Sequence, residues 1–136
     1  MEKTGFEFDS RVIAHEPLGF HDYNRLQADA YCVVSDSGTL PEEASFYLSE
    51  DRPFPAVCIR TSTERPEAME KGCFVLSGID ERGLLQSVEL AVAMVASGDL
   101  GSPVPDYVDE SVACKVVSII QSYTGVVDRL VWKKLR

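Results

Sequence analysis

Apolar residues fall along this chain in short runs rather than in one long block. "RVIAH" (11–15), "CVVSD" (32–36), "AVCIR" (56–60) and "CFVLSG" (73–78) are each followed by a polar loop, and three of them by a segment with helical spacing. Buried strands of this length alternating with helices predict an α/β fold, a parallel sheet with crossover helices. The predicted helices cover about 22–30, 40–48, 65–71, 82–97 and 109–123 or beyond. "LLQSVELAVAMVAS" (84–97) is apolar nearly all round at its end, which predicts a helix packed beneath other elements. The last helix opens after two prolines and sets Val112, Cys114, Val116, Val117, Ile119 and Ile120 in a broad stripe that needs a surface to cover it. Gly125 is expected to interrupt it before "VVDRLVWKK", whose Leu130 and Trp132 also need cover.

The loops between these elements carry the candidate chemistry. In "VVSDSGTLPEE" (33–43), Cys32, Val33 and Val34 read as the buried end of a strand, and Thr39 with Glu42 three residues on reads as a capping box. Gly38 lets the backbone approach a ligand, and the unpaired N–H groups of a first helical turn favour an anion. The turn is a candidate phosphate cradle, although the same signals start many helices that bind nothing. A second polar segment, "RTSTERPEA" (60–68), follows the next strand and also opens a helix, with Pro66 in its first turn. Both loops then lie at the carboxyl edge of the sheet, where doubly wound folds hold ligands. Arg60 and Arg65 would offer forked donors suited to a diphosphate, with an ion pair from Arg65 to Glu64, Glu67 or Glu43 as the alternative use. In "EPLGFHDYNRLQADA" (16–30), Phe20 is assigned to the core, and Tyr23 either stacks on a base or packs. His15 and His21 have no carboxylate or cysteine at ligand spacing from both, so they read as loop or core histidines and no metal is expected.

Composition narrows the class further. At 136 residues, 45% hydrophobic and 26% charged, one compact unit is expected. The net charge of −9, with the basic residues scattered, argues against nucleic acid or an anionic membrane as partner. The start, "MEKTGFEF", lacks the pattern of a signal peptide and no run reaches membrane-spanning length, so a cytoplasmic location is expected. Cys32, Cys58, Cys73 and Cys114 show no CxxC spacing and are expected to be buried free thiols.

"EPLGFHDYNRLQADAYCVVSDSGTLPEEA", "CIRTSTERPEA" and "VLSG", in this order through residues 16–78, resemble the carboxyl-terminal part of the non-hydrolysing UDP-N-acetylglucosamine 2-epimerases. The tail resembles the branch that includes the UDP-N-acetyl-L-talosamine/L-fucosamine epimerases. The resemblance implies a GT-B arrangement of two Rossmann-like domains with the nucleotide between them. Residues 1–108 would be a partial nucleotide-binding domain, and 109–136 a helical segment packing toward a missing amino-terminal domain. It further implies that Ser37, Gly38 and Thr39 hold the diphosphate of UDP or a UDP-N-acetylhexosamine, and that Glu43 binds the ribose. Tyr23 would stack on uracil and Arg65 would neutralise phosphate, with Arg60 and Glu64 in support. The implied reaction eliminates UDP across C1 and C2 of the sugar and re-adds it with inversion at C2, for polysaccharide precursors. It needs no cofactor, and its catalytic acid and base match no residue here, so the chain alone is expected to be inactive. Thr39 stands where many members have a second glycine, and "FYLSEDRPFP" (46–55) is a few residues longer than usual. The family's first two strands would precede residue 1, so either "RVIAH" pairs with "CVVSD" or an open edge is left for a second copy or a missing partner. The alternatives are the donor half of a GT-B glycosyltransferase and a non-enzymatic nucleotide-binding module.

Overall fold

The computed structural model describes residues 7–134. Its elements in chain order are α1 (Phe20–Asp29), β1 (Val33–Ser35), α2 (Leu40–Ser49), β2 (Ala56–Cys58), α3 (Pro66–Glu70), β3 (Val75–Leu76), α4 (Glu81–Ser97), a 3₁₀ turn at Pro105–Tyr107, and α5 (Val112–Leu130). The three strands form one parallel sheet in the order β1-β2-β3, with Val34 opposite Val57 and Val57 opposite Val75. Helices flank it, so the chain has the α/β, Rossmann-like character that the alternating pattern predicts.

The core explains which strand is central. Ala56, Val57 and Cys58 of β2 are all buried, because β2 alone has a strand on each side and helices on both faces. Ala56 and Cys58 pack with Leu40 and Ala44 of α2, Phe54, Ala68, Cys73, Phe74 and Val104. Val57 points the other way, toward the face on which α4 lies over β2 and β3. Its register partner Val34 points the same way but is 44% exposed, since α4 does not extend over β1. The strand end read as buried is therefore covered on one face only. The connection after α2 is taken up by a turn in which Arg52 N donates to Tyr47 O at 3.0 Å. It drops Phe54 into the core edge-on to Tyr47, with ring centroids 5.2 Å apart.

Beyond α4 the chain is anchored against α2 and the turn after α3. Ser45, fully buried on α2, accepts a hydrogen bond from Val104 N at 2.8 Å. Gly101 passes so close to the turn after α3 that a Cβ there would lie 1.8 Å from the Lys71 carbonyl oxygen, a contact only glycine avoids.

Five sequence expectations are corrected. Residues 11–15 form no strand: Asp9 accepts both the backbone N–H and the guanidinium of Arg11, folding the segment into a turn, and Ile13 is 83% exposed. Among the described residues strand β1 consequently has a partner on one side only. Phe20 is 77% exposed at the start of α1, where its ring meets that of His21 edge-on, rather than in the core. Helix α4 buries just Ser87 and Ala91 and exposes Leu85 and Leu90, so it lies on the surface of the sheet instead of beneath other elements. Gly125 does not stop α5, because one interior glycine costs only about 1 kcal/mol against a helix of 19 residues. Of the four free cysteines, Cys58 and Cys73 are buried as expected, Cys32 is half-buried and Cys114 is exposed on α5. Among the described residues no helix is long and apolar enough to cross a membrane.

Candidate functional site

Because β1 and β2 run parallel, the loops that leave them, 36–39 and 59–65, emerge at the same edge of the sheet. The first loop is held by its own hydroxyls. Ser37 N donates to Ser35 Oγ (3.0 Å), Thr39 N donates to Ser37 Oγ (3.2 Å), and the Ser37 and Thr39 hydroxyls are 2.9 Å apart. Thr39 is the residue before α2 but caps no backbone N–H with its side chain. Its hydroxyl donates instead to Glu43 Oε1 at 2.8 Å, so the capping box expected with Glu42 does not form. Pro41 has no N–H, which leaves Gly38, Leu40 and Glu42 as the backbone donors this turn can offer an anion.

Glu43 is where three donors converge. Besides Thr39, Tyr23 OH reaches Oε2 at 3.1 Å and Gln27 Nε2 reaches the same oxygen at 2.6 Å, both from α1. Tyr23 is 39% exposed, and burial first, then the Glu43 charge, pushes its phenol above the ordinary value. The helix preceding β1 is thereby tied to the first turn of α2, as the order of the motifs requires.

Both arginines expected at this edge are there, each already paired. Arg60 forms a two-pronged pair with Glu64 (2.7 and 2.8 Å), which holds the Glu64 carboxyl below its usual range. Its Nη1 lies 3.8 Å from where a Cβ on Gly38 would stand, so the guanidinium sits over the glycine of the first loop. Arg65, immediately before α3, pairs with Glu42 at 2.7 Å. None of the carboxylates weighed from the sequence, Glu64, Glu67 or Glu43, is its ion-pair partner. Glu67 accepts from Tyr107 OH, which holds its carboxyl low, while burial and then Glu67 raise the Tyr107 phenol strongly.

The structure thus gathers Tyr23, Ser37, Gly38, Thr39, Glu43, Arg60, Glu64 and Arg65 along one edge. His15 and His21 stay outside it, exposed, with His15 Nδ1 against Glu16 O. Sequence reasoning missed Gln27 and Tyr107, and gave Glu42 to a capping box rather than to Arg65. The signal for Gln27 was a polar side chain one helical turn from Tyr23, and Glu42 shares the first turn of α2 with Glu43. Nothing local in "VPDYV" marks Tyr107. A mainly apolar cavity lined by Leu48, Phe54, Phe74 and Met94 opens where β2 and β3 begin, at the opposite edge. Among the described residues no cluster of His, Cys, Asp and Glu could hold a metal.

Such an edge can bind a dianionic group between the loop after β1 and the two guanidinium groups, with a carboxylate placed to accept from neighbouring hydroxyls. The sequence model of UDP-N-acetylglucosamine 2-epimerase matches residues 2–121. The chain is similar to a UDP-N-acetylglucosamine 2-epimerase of Bacillus subtilis, 35% identical over 81 residues, which is 60% of this chain and 20% of the relative. A protein of the same description from Methanocaldococcus jannaschii is 33% identical over 75 residues, 55% of this chain and 19% of the relative. One from Campylobacter jejuni is 30% identical over 77 residues, 57% and 19%. The matched part spans about a fifth of these relatives.

Proposed function

The chain belongs to the UDP-N-acetylglucosamine 2-epimerase family, and from that premise we propose that it forms the UDP-binding part of a UDP-N-acetylhexosamine 2-epimerase. The observation that carries the reading is the meeting of the Gly38 turn, the start of α2 and both arginines at one edge of β1 and β2. In this reading Ser37, Gly38 and Thr39 hold the diphosphate, and Arg65 leaves part of its pairing with Glu42 to meet it. Arg60, steadied by Glu64, adds a second cation beside Gly38. Tyr23 stacks on uracil and Glu43 accepts from the ribose hydroxyls.

The reaction expels UDP across C1 and C2 and re-adds it with inversion at C2, in the cytoplasm, supplying polysaccharide precursors. Charge grows on the departing diphosphate, and fixed donors at that position stabilise it more than they stabilise the bound substrate. Residues 1–108 supply this electrostatic half of the catalysis. Residues 109–136, through α5, pack toward the amino-terminal domain that carries the acid and base. The chain alone therefore leaves C2 of UDP-N-acetylglucosamine free of solvent deuterium, since elimination requires a positioned proton carrier. Label at C2 would contradict this division of labour.

Calorimetric titration with UDP tests the site itself. Arg65→Ala should weaken binding by roughly 1.5–3 kcal/mol, the scale of a hydrogen bond to a charged group. Equal affinity in the variant and the parent removes Arg65 from the site.

A further inference from the structure

Gln27 is the only residue α1 buries, 3% exposed, on a helix whose other side chains are mostly open to solvent. A buried position on an amphipathic helix normally carries an apolar side chain. Here it carries an amide whose Nε2 lies 2.6 Å from Glu43 Oε2 and 3.4 Å from Tyr23 Oη. The amide orientation follows from its neighbour, because the flipped arrangement would set a carbonyl oxygen against a carboxylate. Its own Oε1 is buried and has no hydrogen-bond partner among the described residues. A methionine would fill the same space without burying an unpaired carbonyl, so the contact with the carboxylate is what the amide adds.

The three donors on Glu43 differ in what else they can do. The Thr39 and Tyr23 hydroxyls are on exposed residues and, in the function proposed above, those residues serve the ligand, Thr39 at the diphosphate and the Tyr23 ring at the base. Gln27 is enclosed and stays. We infer that Gln27 is the positioning residue for Glu43, pinning Oε2 so that Oε1, released by Thr39, faces the ribose hydroxyls of a bound uridine nucleotide. The inference rests on the assignment of Glu43 to the ribose.

The test compares UDP with 2′,3′-dideoxyuridine diphosphate, by calorimetry, on the parent chain and on Gln27→Met. The parent should prefer UDP by about tenfold, the ratio expected for one charge-assisted hydrogen bond. Gln27→Met should lose most of that preference while keeping its affinity for the dideoxy nucleotide within about twofold. A role in folding alone would lower both affinities together and leave the preference intact. Gln27→Glu, which keeps the volume, sets two carboxylates together at neutral pH. Its preference should be absent there and return on acidification, when a shared proton restores a donor to Glu43. This second variant decides the matter should Gln27→Met fail to fold. A parent that binds both nucleotides alike, or neither, overturns the ribose assignment and this role with it. A parent that discriminates while both variants discriminate equally at neutral pH overturns the positioning role alone.

Discussion

Tyr107 and its neighbours show how single side chains tie stability to pH. The Glu67 carboxyl is held below its ordinary 4.5, first by the Tyr107 hydrogen bond, and Glu64 is held below the same value, first by Arg60. The unfolded chain therefore takes up protons before the folded one as pH falls through about 4.5, and stability declines across that window. The Tyr107 phenol is raised above its ordinary 10.0, first by burial. On the alkaline side the unfolded chain ionises this phenol from about pH 10 while the folded chain keeps the proton, so stability declines there too. Tyr107→Phe should shrink both limbs at once, because Glu67 loses its donor and the phenol is gone. Urea midpoints recorded across pH for parent and variant check this, and an unchanged alkaline limb would assign it to the other acids that burial raises, the Tyr23 phenol and the thiols of Cys32, Cys58 and Cys73. Little of this was legible in the sequence. Tyr107 lies 40 positions from Glu67, and Gln27 lies 16 from Glu43, so each pairing exists only once helices and loops have docked. The placement of Gly38, Thr39 and Arg65 at this edge was legible because their signals are local: a small residue in the turn, a polar residue before a helix, a proline that fixes where that helix starts; Glu43 entered the site only through the family resemblance.

The same division holds for elements. Strands β1, β2 and β3 and helices α2 and α3 fall where short apolar runs and their punctuating Gly and Pro residues place them. Residues 11–15 carry strand-like residues yet form a turn, since a strand exists only with a partner, whereas the Asp9–Arg11 interaction is closed locally. Helix α5 outlasts its glycine for the converse reason. No Cβ added at Gly125 would meet any atom within 4 Å. Gly125→Ala should thus stabilise α5 by roughly 0.5–1 kcal/mol, read as increased helicity by far-UV circular dichroism. A loss of helicity would mean that the glycine serves a contact the free chain does not make. Ser45→Ala tests the opposite kind of element, one held by tertiary contact. It leaves the Val104 N–H buried without its acceptor and should cost about 1–3 kcal/mol in urea unfolding. A change of a few tenths would show that this segment detaches from α2 readily.

At the scale of the whole molecule, the chain exposes more surface than its mass accounts for. Its accessible area is 10623 Å², whereas a compact monomer of 15.0 kDa exposes about 7,000 Å². The excess has identifiable sources. Helix α5 buries none of its residues, and Val112, Val116, Ile119, Ile120, Tyr123, Val127 and Leu130 recur along it at helical spacing. Val34 adds an uncovered patch of sheet beside the open edge of β1. A 19-residue helix with an uncovered apolar stripe is marginal in water on its own, so its stability has to come from whatever the stripe meets. For the isolated chain the available partner is another copy, and helix content and association should then rise together with concentration. Light scattering and circular dichroism on one dilution series measure both. Val116→Glu with Ile120→Glu, which set charges into the stripe, should hold the chain monomeric and lower its helicity while leaving the edge of β1 and β2 intact. A parent chain that stays monomeric at high concentration with α5 fully helical would show that the stripe needs no cover, and would remove the physical reason for assigning this helix to a second domain.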